Sequence, residues 1–91
     1  MLNNKNAMLC AKIIKKYGTS KQMLKAGEEC TELAQAIFRS AQDGSNWHYM
    51  DNLIEELVDV IVMTEQLVLI MGLTRDKINE KAREKLERAL E

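Results

Sequence analysis

The sequence predicts an all-α protein: four helices in one domain spanning residues 1–91, a bundle that homo-oligomerisation completes. Three observations predict it. The 91 residues contain no proline and only four glycines, aromatic residues make up 4%, and apolar residues recur at helical spacing along the chain. A core of this length is marginal by itself, so a partner subunit or a bound metal is expected to add to it.

Leu9, Cys10, Ile13, Ile14 and Tyr17 follow helical spacing and Gly18 supplies a stop, which predicts a first helix over 4–17. Thr19 and Gln22 make a capping-box pattern that opens a second helix through about Gln42. Its predicted apolar stripe runs through Met23, Ala26, Cys30, Leu33, Ala34, Ile37 and Ala41, and Phe38 continues it. Asp43, Gly44 and Ser45 read as a turn, with Asn46 as N-cap of a third helix from Trp47 to Met71 that Gly72 ends. Thr74 caps a last helix whose thin stripe is Ile78, Ala82 and Leu86, with Ala89 at its end. From Leu53 to Met71 the aliphatic residues of the third helix point in every direction, the pattern of a helix enclosed on all sides.

The net charge of −1 lacks the basic footprint of a protein that grips nucleic acid by its phosphates. Its distribution is uneven. Residues 1–25 carry six lysines and no acid, residues 26–65 nine acids against Arg39 alone, and the remainder is nearly balanced. A basic arm beside an acidic centre suits a site that holds cations and then a polyphosphate on top of them. Cys10 and Cys30 lack metal-ligand spacing and read as small core thiols in a reducing compartment. Glu65 and Gln66 interrupt the apolar run from Leu57 to Met71, and no signal peptide is recognisable, so a cytoplasmic protein without membrane contact is expected.

The informative residues are acids. On a helical wheel Glu56 is flanked by Met63, Leu67, Val60 and Ile70, and Asp59 sits between Ile70 and Val62. A carboxylate in apolar surroundings takes up a proton, pairs with a base or binds a metal, and no Lys or Arg lies within two turns on this helix. Glu29 and Glu32 stand at the edge of the second helix's stripe. Each long helix therefore presents acids at i and i+3, and antiparallel packing can bring all four together. That many hard oxygen ligands suit Mg²⁺, with Mn²⁺ a possible substitute.

The pattern Glu28-Glu29-Cys30-Thr31-Glu32, then 23 residues, then Glu56-Leu57-Val58-Asp59, resembles the EExxE…ExxD signature of the MazG-like all-α nucleoside triphosphate pyrophosphohydrolases. The similarity runs from about Tyr17 to Arg88, with Gly18, Gln22 and Lys25 leading into EECTELAQAI and NLIEELVDVIVMTEQL around the second pair. This resemblance implies Glu29, Glu32, Glu56 and Asp59 as metal ligands, and cleavage of the α–β phosphate bond of an NTP or dNTP to a monophosphate and pyrophosphate. It also implies a homodimer or dimer of dimers. The family usually carries a Lys and, a turn later, an Asn in the last helix; here Lys81 fits the first position, but Lys85 stands at the second, with Arg88 one turn on.

Glu28 is the candidate to orient or deprotonate the attacking water, and Gln22, Lys25, Lys81, Lys85 and Arg88 are the candidate substrate contacts. Phe38, Trp47 and His48 are candidate base readers, although core packing is the plainer account of the two aromatic rings. A di-iron carboxylate bundle needs Glu-x-x-His pairs, and the single histidine, His48, has no acid three residues before it. The alternative from a different class is a non-catalytic helical nucleotide-binding or interaction module of the same fold.

Overall fold

In the computed structural model the described residues are 1–42 and 47–91, with the side chains of Trp47 and His48 excepted. They form four helices: α1 (Asn4–Tyr17), α2 (Thr19–Gln42), α3 (Trp47–Met71) and α4 (Arg75–Ala89). The predicted helix bounds match these. The expected Asp43–Ser45 turn and Asn46 cap lie outside the described residues.

Local chemistry explains the boundaries. Asn3 Oδ1 accepts the Asn6 N–H at 2.8 Å, satisfying one orphan donor of α1. Gly18, at φ 94°, closes that helix with its N–H on the Ile14 carbonyl at 2.8 Å, and its own carbonyl takes the first α2 bond, from Gln22 N–H. α2 therefore follows without a linker. The capping box is not formed: the Gln22 side chain turns away from the helix start to a partner on α3.

At the end of α3, Gly72 takes φ 65°, its N–H reaches the Leu69 carbonyl, and Leu73 N–H reaches Val68. These two bonds are a Schellman stop, which only a residue tolerant of positive φ makes without strain. Thr74 Oγ1 then accepts Lys77 N–H at 3.1 Å and starts α4, which leaves α3 at 115°.

α2 and α3 pack as an antiparallel pair, and α1 lies more thinly across both. The face of α2 turned inward is Gln22, Ala26, Glu29, Leu33, Ala36 and Ser40. It shares Ala26 and Leu33 with the predicted stripe but is rotated away from the rest of it: Cys30 is exposed, Phe38 is 67% exposed, and Met23 and Ile37 are about half exposed. Small Ala26 and Ala36 let the helices approach, whereas the bulky side chains project away from the pair. Cys10 is buried as expected, with its Sγ 3.9 Å from the Val62 carbonyl. Burial, and then the Glu65 charge, hold its thiol above the ordinary pKa, so it stays protonated and inert.

Within one chain α3 is not enclosed. Ile54, Leu57, Val58 and Leu69 are each roughly half exposed, and among the described residues α4 touches none of the other three helices. Leu86 consequently faces outward at 65% exposed, whereas Ile78 is 36% exposed. The radius of gyration is 15.3 Å, against roughly 12 Å for a compact domain of this length. No single helix among the described residues is long and apolar enough to cross a membrane.

Candidate metal and nucleotide site

The α2–α3 pair sets the site through its register. Gln22 stands opposite Gln66, joined by a 2.8 Å hydrogen bond from Gln22 Nε2 to Gln66 Oε1. Seven residues along α2 lies Glu29, and seven residues back along α3 lies Asp59; both line one cleft. One further step of three pairs Glu32 with Glu56. Because seven residues make nearly two turns, amides and acids fall on the same side of each helix.

Glu29, Glu32 and Glu56 each place a carboxylate oxygen within 4.8 Å of the others. Glu29 and Glu56 are half-buried and Glu32 is exposed at the rim. Asp59 lies outside this tight group, and is more exposed than its apolar wheel neighbours imply, yet its charge acts on both half-buried acids. Glu28 is exposed one position before the group. Among the described residues the ion pair formed is Arg83–Glu87 on α4, so no base neutralises the four acids.

The electrostatic consequence is direct. Partial burial, then the charges of Glu32 and Asp59, then a carboxyl–carboxyl hydrogen bond with Glu32, raise the pKa of Glu56, with Glu55 adding to it. The same causes, with Glu56 in place of Glu55, raise Glu29. One oxygen of each, Oε2, is shielded from solvent and accepts no hydrogen bond among the described residues. Shielded, unpaired oxygens facing like charges fit a bound divalent cation, and leaving them without one is unfavourable. Glu29, Glu32 and Glu56 would hold it, with Asp59 one turn further along α3.

A cleft of about 560 Å³ opens beside the acids. Its walls include Lys25 and Gln22, the two α2 residues expected near substrate, and also Tyr17, Lys21 and Gln66, which sequence reasoning passed over. Lys16 and Lys21 both sit 5.2 Å from the centre of the Tyr17 ring and gather positive charge at this mouth. A signal for Lys21 existed, since it belongs to the same basic arm as Lys25. Lys81, Lys85 and Arg88 are not brought to the acids within the chain, because α4 stands clear of α1–α3. Trp47 and His48 side chains lie outside the described set, and Phe38 is not among the cleft residues.

No family model, curated protein or solved structure matches this chain. The site is accordingly read from its own geometry and from the acid spacing in the sequence.

A pH dependence follows from the two raised carboxyls. Native Glu29 and Glu56 hold their protons more tightly than the unfolded chain, whose ordinary value is 4.5. Stability should then fall as pH rises from that value through the raised native ones. In the metal-free protein we expect a higher melting temperature at about pH 5 than at about pH 7, and a flatter profile in Glu29→Gln/Glu56→Gln. Melts in chelator across this range check it; a wild-type profile that rises toward neutrality would show that the two acids are not the strained groups.

Proposed function

We propose that the protein is a Mg²⁺-dependent nucleoside triphosphate pyrophosphohydrolase, as the resemblance of its EExxE…ExxD pattern implies. The observation that carries the reading is the convergence of Glu29, Glu32 and Glu56 within 4.8 Å, with no ion pair to a base among the described residues, beside a lysine-bearing cleft. Acids from two helices on one point suit a hard cation shared with substrate phosphates.

A bound Mg²⁺ would supply charge neutralisation at the phosphates and lower the pKa of a coordinated water. The chain's own residues do the rest. Glu29 and Glu56, shielded on one side, anchor the site; Glu32 and Asp59, exposed at the rim, close it from the solvent side. Lys25, one turn before Glu29 on the cleft wall, and Lys21 beside it offer ammonium groups to phosphate oxygens. Glu28, exposed and one residue before Glu29 in the sequence, is the candidate to orient or deprotonate the attacking water.

Metal-dependent release of pyrophosphate from a panel of canonical and damaged nucleotides tests the activity. Absence of release from every member in Mg²⁺ and in Mn²⁺ would leave the non-catalytic binding module.

The working form is a homo-oligomer in which α4 reaches a neighbouring chain. The half-exposed aliphatic faces of α2 and α3, the free-standing α4 and the large radius of gyration support this. Lys81, Lys85 and Arg88 then meet the acids of another subunit, where they contact phosphates. Lys81→Ala and Lys85→Ala are each expected to lower kcat/KM about tenfold, the size of one charge-assisted contact. Mixing Lys81→Ala with an inactive Glu56→Gln chain is expected to restore turnover above both parents. A monomer at micromolar concentration by sedimentation, or mixtures no better than their parents, would confine the lysines to their own chain or to none.

A further inference from the structure

The Gln22–Gln66 pair is an unusual occupant of a helix–helix interface. Gln66 is 1% exposed and Gln22 is 4% exposed, deeper than any carboxylate of the site. Apolar side chains of similar volume would close the same space without burying two amides, and burying an amide is unfavourable unless its groups are paired.

The pairing is incomplete. One bond, Gln22 Nε2 to Gln66 Oε1, is short at 2.8 Å. Among the described residues Gln66 Nε2 has only the thioether sulfur of Met63 at 3.8 Å, a weak acceptor. Gln22 Oε1 accepts no hydrogen bond among the described residues and is not among the shielded, unpaired oxygens. Both glutamines line the cleft that ends at Glu29 and Asp59. Unused amide capacity therefore lies in two residues that line the space leading to the acids.

The register supplies the distance. Gln22 precedes Glu29 by seven residues and Gln66 follows Asp59 by seven, which separates amides from acids by about 10 Å at 1.5 Å per residue. A nucleotide whose phosphates lie on the acids and Lys25 has its sugar and base directed along the cleft toward the amides. Ile13, Val62 and Met63 supply apolar wall there, and Tyr17 an aromatic face.

We propose that the Gln22–Gln66 amide pair at the inner end of the cleft is the nucleobase reader, hydrogen-bonding the heteroatom edge of the base while Lys25 and the acids hold the polyphosphate. The inference rests on the nucleotide reading above. An amide offers a donor and an acceptor side by side, the complement of the donor–acceptor edge of a nucleobase. The partner glutamine holds that amide in one orientation, so a base with the reversed order meets donor against donor or acceptor against acceptor. Discrimination then comes from groups left unpaired, not from shape.

The test compares the wild type with two variants. Gln22→Met/Gln66→Met replaces both partners by unbranched apolar chains and avoids an orphaned amide. Gln66→Glu keeps the shape but replaces the N–H donors by an acceptor. The readouts are kcat/KM for ATP, GTP, CTP, UTP and their deoxy forms, the inhibition constant of base-free tripolyphosphate, and Mn²⁺ affinity. We expect the ratio of best to worst base to fall about tenfold or more toward unity in the double variant, and the ranking of bases to change in Gln66→Glu. Tripolyphosphate inhibition and Mn²⁺ affinity should stay within about twofold, because the pair lies two turns from the acids.

Should the double variant not fold, the ranking in Gln66→Glu decides. Unchanged selectivity in a folded variant, or equal losses for tripolyphosphate and nucleotides, would show that the pair only clamps α2 to α3. A wild type that hydrolyses every base equally would overturn this inference alone. A wild type that hydrolyses none would overturn the pyrophosphohydrolase reading; base-dependent binding of the same nucleotides by calorimetry would then support the reader, and base-independent or absent binding would overturn it too.

Discussion

Glu56→Gln is expected to lower Mg²⁺-dependent pyrophosphate release by at least about a hundredfold, while leaving the four helices in place and the metal-free protein more stable. Even outer partners of a metal site cost ten- to a hundredfold when removed, and Glu56 would hold the ion directly. Gln keeps the shape and one acceptor oxygen but loses the charge. In the metal-free protein that charge is a liability: Glu56 is half-buried, its Oε2 is shielded without a partner, and Glu32 and Asp59 face it with like charge. Removing it relieves repulsion and desolvation together. Asp59→Asn should also impair turnover but change stability less, since Asp59 is exposed. Steady-state turnover read beside thermal melts separates the two effects. Near-wild-type turnover of Glu56→Gln at saturating Mg²⁺ would remove Glu56 from the ligand set.

The second large effect is stabilisation by the cation itself. A ligand that binds only the native state at a hundredfold its Kd adds about 2.7 kcal/mol. For a domain of this size each kcal/mol moves the melting temperature by about 4–8 °C, so saturating Mg²⁺ or Mn²⁺ should raise it by on the order of 10–20 °C. The shift should shrink on acidification, because Glu29 and Glu56 hold their protons more tightly than ordinary carboxyls and those protons compete with the metal. Matched protein concentration matters for an oligomer, and matched ionic strength excludes general screening. Glu29→Gln/Glu56→Gln should abolish the shift. Equal melting temperatures with and without divalent cation would leave the acids a surface cluster.

Much of this was legible in the residues. The four helices and their ends follow from local chemistry: Gly18 and Gly72 at positive φ, the Thr74 cap on Lys77 N–H, and apolar residues at helical spacing. Local signals suffice there because a helix end is decided by groups within one turn of it. The i, i+3 acids were legible for a similar reason, since 3.6 residues per turn places both members of each pair on one side before any packing is known. Antiparallel packing of two such helices brings Glu29, Glu32 and Glu56 to one point, three of the four acids that the spacing was expected to gather, with Asp59 outside the group.

The choice of face was not legible. α2 carries two apolar sides, and of the predicted stripe (Met23, Ala26, Cys30, Leu33, Ala34, Ile37 and Ala41) Ala26 and Leu33 turn inward, whereas the others are exposed and Gln22, Glu29 and Ala36 take their place on the inward face. Wheel arithmetic ranks sides by hydrophobicity, whereas close approach of two helices selects small residues, and Ala26 and Ala36 are both 3% exposed. The same rotation of α2 turned Gln22 from a helix cap into the partner of Gln66, a pairing across 44 residues that no local pattern contains. For α4 the outcome is the reverse: its caps and charges were readable, but its position was not, because the 115° turn at Gly72–Thr74 carries it clear of the other helices. By itself, then, the sequence determined what is settled within a few residues: helix bounds, turn glycines and the spacing of acids. Only the tertiary structure decided which helix faces meet, which buried amides pair, and that Lys81, Lys85 and Arg88 stand apart from the acids of their own chain, since those depend on distances between residues far apart along it.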